Sequence, residues 1–241
     1  MLKDMLKINN TKRFLAFTLA ETLIVMGIIG IVSALTLPNL NSSTGEKEKV
    51  AKVKKIYQNL DDAIGRATAV YGPVNEWFAN DSTNEQINER FMSRITEFMK
   101  VSKVCSTPSD CIKLPSPYNE TSNAVILADG TVVGIPKSIA INSAEGWIAI
   151  DIDGPQKGSG LGGKDMFVFC YDSQNALLFP RGQKDADSGF ADCTTELRVG
   201  CAYWVIAYDN MDYLKASSNG KCNNSSATLN AKASPPVTSC K

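Results

Sequence analysis

Asp151, Asp153 and Asp165 stand at the two ends of a glycine-rich segment, Asp151-Ile-Asp-Gly-Pro-Gln-Lys-Gly-Ser-Gly-Leu-Gly-Gly-Lys-Asp165. Side chains alternate along a strand, so Asp151 and Asp153 share one face while Ile150 and Ile152 take the other. Two carboxylates converging in this way, joined by Asp165 and loop carbonyls, suit a hard cation such as calcium. The segment is not an EF-hand loop, because its glycine comes too early and Gly162 stands where a bidentate glutamate is needed. The competing expectation is a turn whose aspartates accept hydrogen bonds from backbone amides.

Other chemistry is sparsely provided for. The chain contains no histidine, which removes the commonest general base and the commonest neutral metal ligand. No nucleophile and base pairing stands beside the three aspartates, so no catalysis is expected. The 25 basic residues balance the 25 acidic ones, leaving no overall field that would draw the protein onto nucleic acid. Seven cysteines, Cys105, Cys111, Cys170, Cys193, Cys201, Cys222 and Cys240, lie in the second half without C-x-x-C spacing. They read as disulfides formed in an oxidising compartment. Near-neighbour pairing joins Cys105 to Cys111, Cys193 to Cys201 and Cys222 to Cys240, with Cys170 left as a buried thiol.

One further residue is chemically conspicuous. Residues 1–16 carry Lys3, Lys7, Lys12 and Arg13 against Asp4, and from Phe17 to Leu37 the chain is apolar except for Glu21 and a few small polar residues. As a helix, residues 17–37 span about 31 Å, matching a hydrocarbon core of about 30 Å. A carboxylate in such a helix costs a few kcal/mol and is normally kept for function with a partner.

A basic leader, a small residue and then Phe17-Thr-Leu-Ala-Glu21 heading an apolar run resembles the processing site of type IV prepilins and type II secretion pseudopilins. The resemblance implies cleavage by a prepilin peptidase between Ala16 and Phe17 and methylation of the new Phe17 amino group. It implies an assembly role for Glu21, the fifth mature residue, and a helix-bending role for Pro38. The family usually has glycine before the cut, where this chain has Ala16. The implied partners are other pilin or pseudopilin subunits, the peptidase, an inner-membrane assembly platform and the membrane. The implied location is the cytoplasmic membrane, crossed once with the amino terminus cytoplasmic, and then an extracytoplasmic filament. The loop from Asp151 to Asp165 is similar in outline to an acidic loop that binds calcium in some pseudopilins. A positive amino terminus four residues before Glu21 would meet a neighbouring subunit's carboxylate, a pairing that specifies register.

Two other readings of the amino terminus stay open: a secretory signal cut after Val32-Ser33-Ala34, releasing a chain that starts at Leu35, and a plain signal anchor. Either would give a monomeric secreted or membrane-anchored binding protein.

The elements that position these residues follow from periodicity. Val50, Val53, Tyr57, Leu60, Ile64, Ala67 and Tyr71 form one stripe of an amphipathic helix that ends at Gly72-Pro73. Lys47, Lys49, Lys52, Lys54 and Lys55 lie off that stripe, as a solvated face or a contact to lipid head groups or a neighbouring subunit. A second helix is expected over 84–100. Asp129-Gly130 joins two apolar runs as a hairpin, and residues 147–152, 166–171 and 176–179 read as further strands. Residues 201–214 are ambiguous between helix and strand, and the tail 216–236 is too polar to pack a core alone. The expected fold is α+β and pilin-like: a leader (1–16), a transmembrane helix (17–37), an amphipathic stalk (38–72) and a disulfide-bonded domain (73–241) built on an antiparallel sheet of four or five strands.

Overall fold

The computed structural model describes residues 18–114, 118, 120–155, 157, 162–183, 193 and 199–241, with the backbone alone described for 34–44. The chain divides into two compact units, Met1–Thr44 and Gly45–Lys241. Helix α1 runs Leu19–Tyr71. Among the described residues no helix is long and apolar enough to cross a membrane. The expected span 17–37 begins before the described residues, and the apolar side chains described, at 18–33, stop short of the about 20 that a bilayer crossing needs.

Within the second unit the α1 stripe is the spine of the core. Val50, Val53, Ile56, Leu60, Ala63, Ile64 and Ala67 are all buried, at three- and four-residue spacing. Tyr57 and Tyr71 lie half-buried at the margin of the same cluster. Gly72 ends α1 in the left-handed conformation, φ +80°, where a side chain would be strained. Helix α2, Asn84–Thr96, opens on a reciprocal cap between Thr83 and Gln86 and buries Ile87, Phe91 and Ile95. It stops four residues before the expected end. Phe98 and Met99 instead make tight three-residue bonds back to Ile95 and Thr96, and the Lys100 carbonyl accepts the Ala128 amide from the sheet. Sheet pairing wins the last turn from the helix.

The sheet is antiparallel, with six strands in sequence order: β1 (Val101–Val104), β2 (Thr121–Leu127), β3 (Val132–Pro136), β4 (Gly146–Asp151), β5 (Met166–Asp172) and β6 (Leu177–Pro180). The expectation of four or five strands was therefore short by β1. Val101-Ser-Lys-Val104 is mostly exposed and has no apolar alternation, so pairing with β2 makes it a strand rather than its own pattern. Residues 201–214 resolve as helix α4, Cys201–Tyr208, followed by a 3₁₀ turn, Asp212–Lys215.

Period-two alternation divides the sheet into two buried faces. On β5, Phe167, Phe169 and Tyr171 join the α1 core, while Met166, Val168 and Cys170 face the other way. That second face is covered in part by helix α3, Pro108–Cys111, which lies within the loop closed by Cys105–Cys111, and by Ile112 just after it. Gly134 makes room for it, since a Cβ there would stand 2.9 Å from Ile112 Cγ2.

Both sheet edges are blunted. On β1 the register shifts between Val101 and Lys103, and Lys103 is exposed. On β6, Pro180 lacks an amide donor, the Leu178 carbonyl accepts the Tyr57 hydroxyl at 3.0 Å, and the Arg181 carbonyl accepts the Tyr203 amide at 3.1 Å.

Candidate functional site

At the head of α1 the Thr18 amide and hydroxyl both donate to Glu21 Oε2, at 2.9 and 2.8 Å, and the Glu21 amide donates back to Thr18 Oγ1 at 3.3 Å. This is a reciprocal helix cap, which satisfies donors that the first turn of a helix leaves unpaired. Its signature, Thr-x-x-Glu before an apolar run, is local and present in the sequence. Glu21 thus has a local partner as well as its position in the apolar run. Ala16 and Phe17 lie outside the described residues, and Pro38 is described by its backbone within α1. The large apolar side chains Leu19, Leu23, Ile24, Val25, Met26, Ile28, Ile29, Ile31 and Val32 are each more than half exposed.

The lysines that follow are not simply a solvated face. Lys49 Nζ lies 2.9 Å from Asp153, Lys54 Nζ 2.8 Å from Asp209 and Lys55 Nζ 2.8 Å from Asp129. These three carboxylates belong to three loops: the β4–β5 loop, the end of α4 and the β2–β3 turn. Lys52 pairs with Glu48 one turn back. Among the described residues only Lys47 of the five has no ion pair. Lys54 and Lys55 pair at exposed sites, where an ion pair is worth about 0.2–1 kcal/mol, while Lys49–Asp153 is half-buried; together they fix how the loops lie along α1.

Asp151, Asp153 and Asp165 end up at the edge of this clamp. Asp151 Oδ1 accepts the amides of Asp153 and Gly154, at 3.0 and 2.9 Å, which is the turn geometry expected as the alternative to metal binding. Asp153 is taken by Lys49, whose ammonium also donates to the Lys164 carbonyl at 3.2 Å. Two of the three carboxylates are thus committed to protein donors. Among the described residues no group of three or more metal-ligating side chains is placed to hold an ion. The residues of this loop at 156 and 158–161 lie outside the description.

Burial pushes the Asp151 carboxyl up to about 6, with the Asp165 and Asp153 charges adding to it and the two amides working against it. A carboxyl whose folded pKa exceeds its unfolded value contributes stability that is full below about 3.9 and lost as pH rises through about 6. Asp151→Asn keeps an oxygen for both amides and removes the titration. We expect it to raise stability at pH 7.5 by about 1 kcal/mol after solvent screening, or about 3 °C in Tm, and to flatten the dependence between pH 4 and 6.5. Thermal unfolding of the two proteins across that range checks this.

The disulfides join Cys105 to Cys111, Cys193 to Cys201 and Cys222 to Cys240, and Cys170 is buried outside these bridges, with Arg181 Nη1 4.0 Å from its sulfur. The last bridge ties the tail to a hub at Asp212, which accepts the Cys240 amide at 2.8 Å and pairs with Lys215 at 2.8 Å. Lys215 reaches on to Glu46 of α1, also at 2.8 Å. Burial alone would raise the Asp212 pKa, but Lys215 and the Cys240 amide outweigh it and hold the carboxyl below the usual range.

No protein-family model, curated protein or solved structure matches this chain.

Proposed function

We propose that this chain is a structural subunit of a type IV filament, either a type IV pilus or a type II secretion pseudopilus, processed between Ala16 and Phe17 and assembled through the head of α1. The observation that carries the reading is the combination at residues 18–33: an apolar helical stretch whose large side chains are exposed, headed by one carboxylate. Apolar surface of that extent needs a cover. The bilayer supplies it before assembly, and the helices of neighbouring subunits supply it afterwards. Thr18 satisfies hydrogen bonds of Glu21 but leaves its charge, and the amino group created at Phe17 is a cation suited to neutralise it across subunits.

Two features of the second unit support the same reading. Blunted sheet edges disfavour polymerisation by strand addition, which leaves the helix as the surface for assembly. The disulfides fit a domain that matures outside the cytoplasm. Subunits of its own kind, a prepilin peptidase, an inner-membrane platform and the membrane are the proposed partners, and no catalysis is assigned to the chain itself. Calcium at the Asp151 to Asp165 loop would have to compete with Lys49 for Asp153, and it carries no step of this proposal.

Mass spectrometry of the mature chain tests the proposal. A methylated Phe17 at the amino terminus is the expected result, and a terminus at Leu35 would overturn it in favour of a secreted protein.

A further inference from the structure

The exposed side of α1, the α2–β1 connection and the β2–β3 turn enclose an open cavity of about 480 Å³. Sites for small ligands commonly measure about 300–1,000 Å³. Phe98, Met99 and Leu127 give it an apolar lining, and Lys55, Arg66 and Lys100 bring positive charge to it. These cations are not equally occupied. Lys55 is held by Asp129 at 2.8 Å, and Asp129 is engaged further by the Thr131 amide at 3.2 Å. Arg66 lies at 3.5 Å from Asp62, the outer limit of a hydrogen bond, with both side chains more than half exposed. Its guanidinium sits 5.2 Å from the centre of the Phe98 ring, a contact that holds it over the lining. Lys100 has no ion-pair partner among the described residues.

Arg66 and Lys100 are therefore the donors left for a ligand, beside an aromatic ring and two aliphatic side chains. A single carboxylate suits two cations of this kind, and charge-assisted bonds to it are the strong ones. The three cations of the cavity outnumber its two carboxylates, Asp62 and Asp129, so a positive charge is left over and a cationic ligand is disfavoured. A multiply charged phosphate would meet those same carboxylates as repulsion and gain nothing from the lining. We propose that this cavity binds a carboxylate carried on an apolar body, the chemistry presented by the carboxyl end of a peptide finishing in a hydrophobic residue. A free aromatic acid shares the same chemistry, so the test includes both.

Isothermal titration of the full chain in mild detergent, with N-acetyl-phenylalanine, its amide and N-acetyl-Ala-Ala-Phe, separates the outcomes. The tripeptide acid is expected to bind saturably with Kd on the order of 1 mM. The single amino acid should bind more weakly, and the uncharged amide about tenfold more weakly than its acid. Arg66→Gln and Lys100→Gln should each weaken the tripeptide about fivefold to tenfold, while Lys113→Gln, outside the cavity, leaves it unchanged. All three positions are exposed, so the variants keep the parent unfolding curve. Equal affinity for acid and amide, or unchanged binding to the Arg66 and Lys100 variants, overturns the site. So does the lack of saturable heat up to about 10 mM. Equal affinity for the tripeptide and the single amino acid overturns the peptide end as its ligand.

Discussion

Replacing Asn88 by alanine is expected to destabilise the protein by about 4 kcal/mol, more than any surface change considered above. Asn88 lies on α2 and is fully buried. Its two Nδ2 hydrogens are shared among Ser122 Oγ, the Pro136 carbonyl and the Ile139 carbonyl, at 3.0 to 3.2 Å, and its Oδ1 accepts the Ile141 amide at 2.8 Å. One side chain thus ties the β3–β4 connection to α2, and its truncation strands the amide of the buried Ile141 and removes a donor from the Ile139 carbonyl. Each such group left without a partner costs about 1–3 kcal/mol. Thermal unfolding of the whole chain in mild detergent should show Tm lower by about 10 °C. Asn88→Asp should fare no better, because it still accepts from Ile141 but donates nothing to the two carbonyls.

The second large effect is expected from Cys222→Ser combined with Cys240→Ser. The bridge closes a loop with a sequence separation of 18, and removing it costs about 3 kcal/mol. Tm should fall by about 8 °C, and limited proteolysis should cut within residues 216–241 before the rest of the chain. Beside the bridge, the tail fully buries Cys222 and Leu229 as apolar residues, pairs with itself through isolated bridges such as Asn230 with Val237, and is held by single hydrogen bonds such as Asp212 to the Cys240 amide. Acid should act in the same direction. Asp212 has a depressed folded pKa, so its contribution is present above the usual carboxylate range and lost as pH falls through the folded value. Proteolysis of the double variant should therefore quicken further below about pH 4.

Much of this architecture was legible because it follows from periodicity. The stripe from Val50 to Tyr71, the turn at Asp129-Gly130 and the near-neighbour cysteine pairs each rest on a local spacing, and each is found in the structure. What was not legible depends on contacts across the chain. Strand β1 is a strand because β2 is beside it, and α2 ends at Thr96 because Lys100 is drawn into the sheet. Lys49, Lys54 and Lys55 read as a solvated patch because their carboxylates lie 74 to 155 residues away; Lys55 and Asp129, for example, are 74 residues apart. The pairing of Asp153 with Lys49 likewise has no sequence signal, and it changes how the acidic loop is read. The Thr18 and Glu21 cap is the opposite case, a local signature with a spacing of three residues that the charge of Glu21 in an apolar run overshadows.

That cap sharpens the test of the central claim. Glutamine can replace glutamate in a helix cap of this type, so Glu21→Gln keeps the cap and removes the charge, while Thr18→Val removes the cap hydroxyl and keeps the charge. The direct measurement is the amount of each variant in sheared filaments, relative to its amount in the membrane. The account predicts that Glu21→Gln is present in the membrane at the wild-type level and reduced at least about tenfold in filaments. A Glu21→Gln subunit that enters filaments as well as wild type, with Thr18→Val excluded from them, would contradict it and leave Glu21 as a helix cap alone.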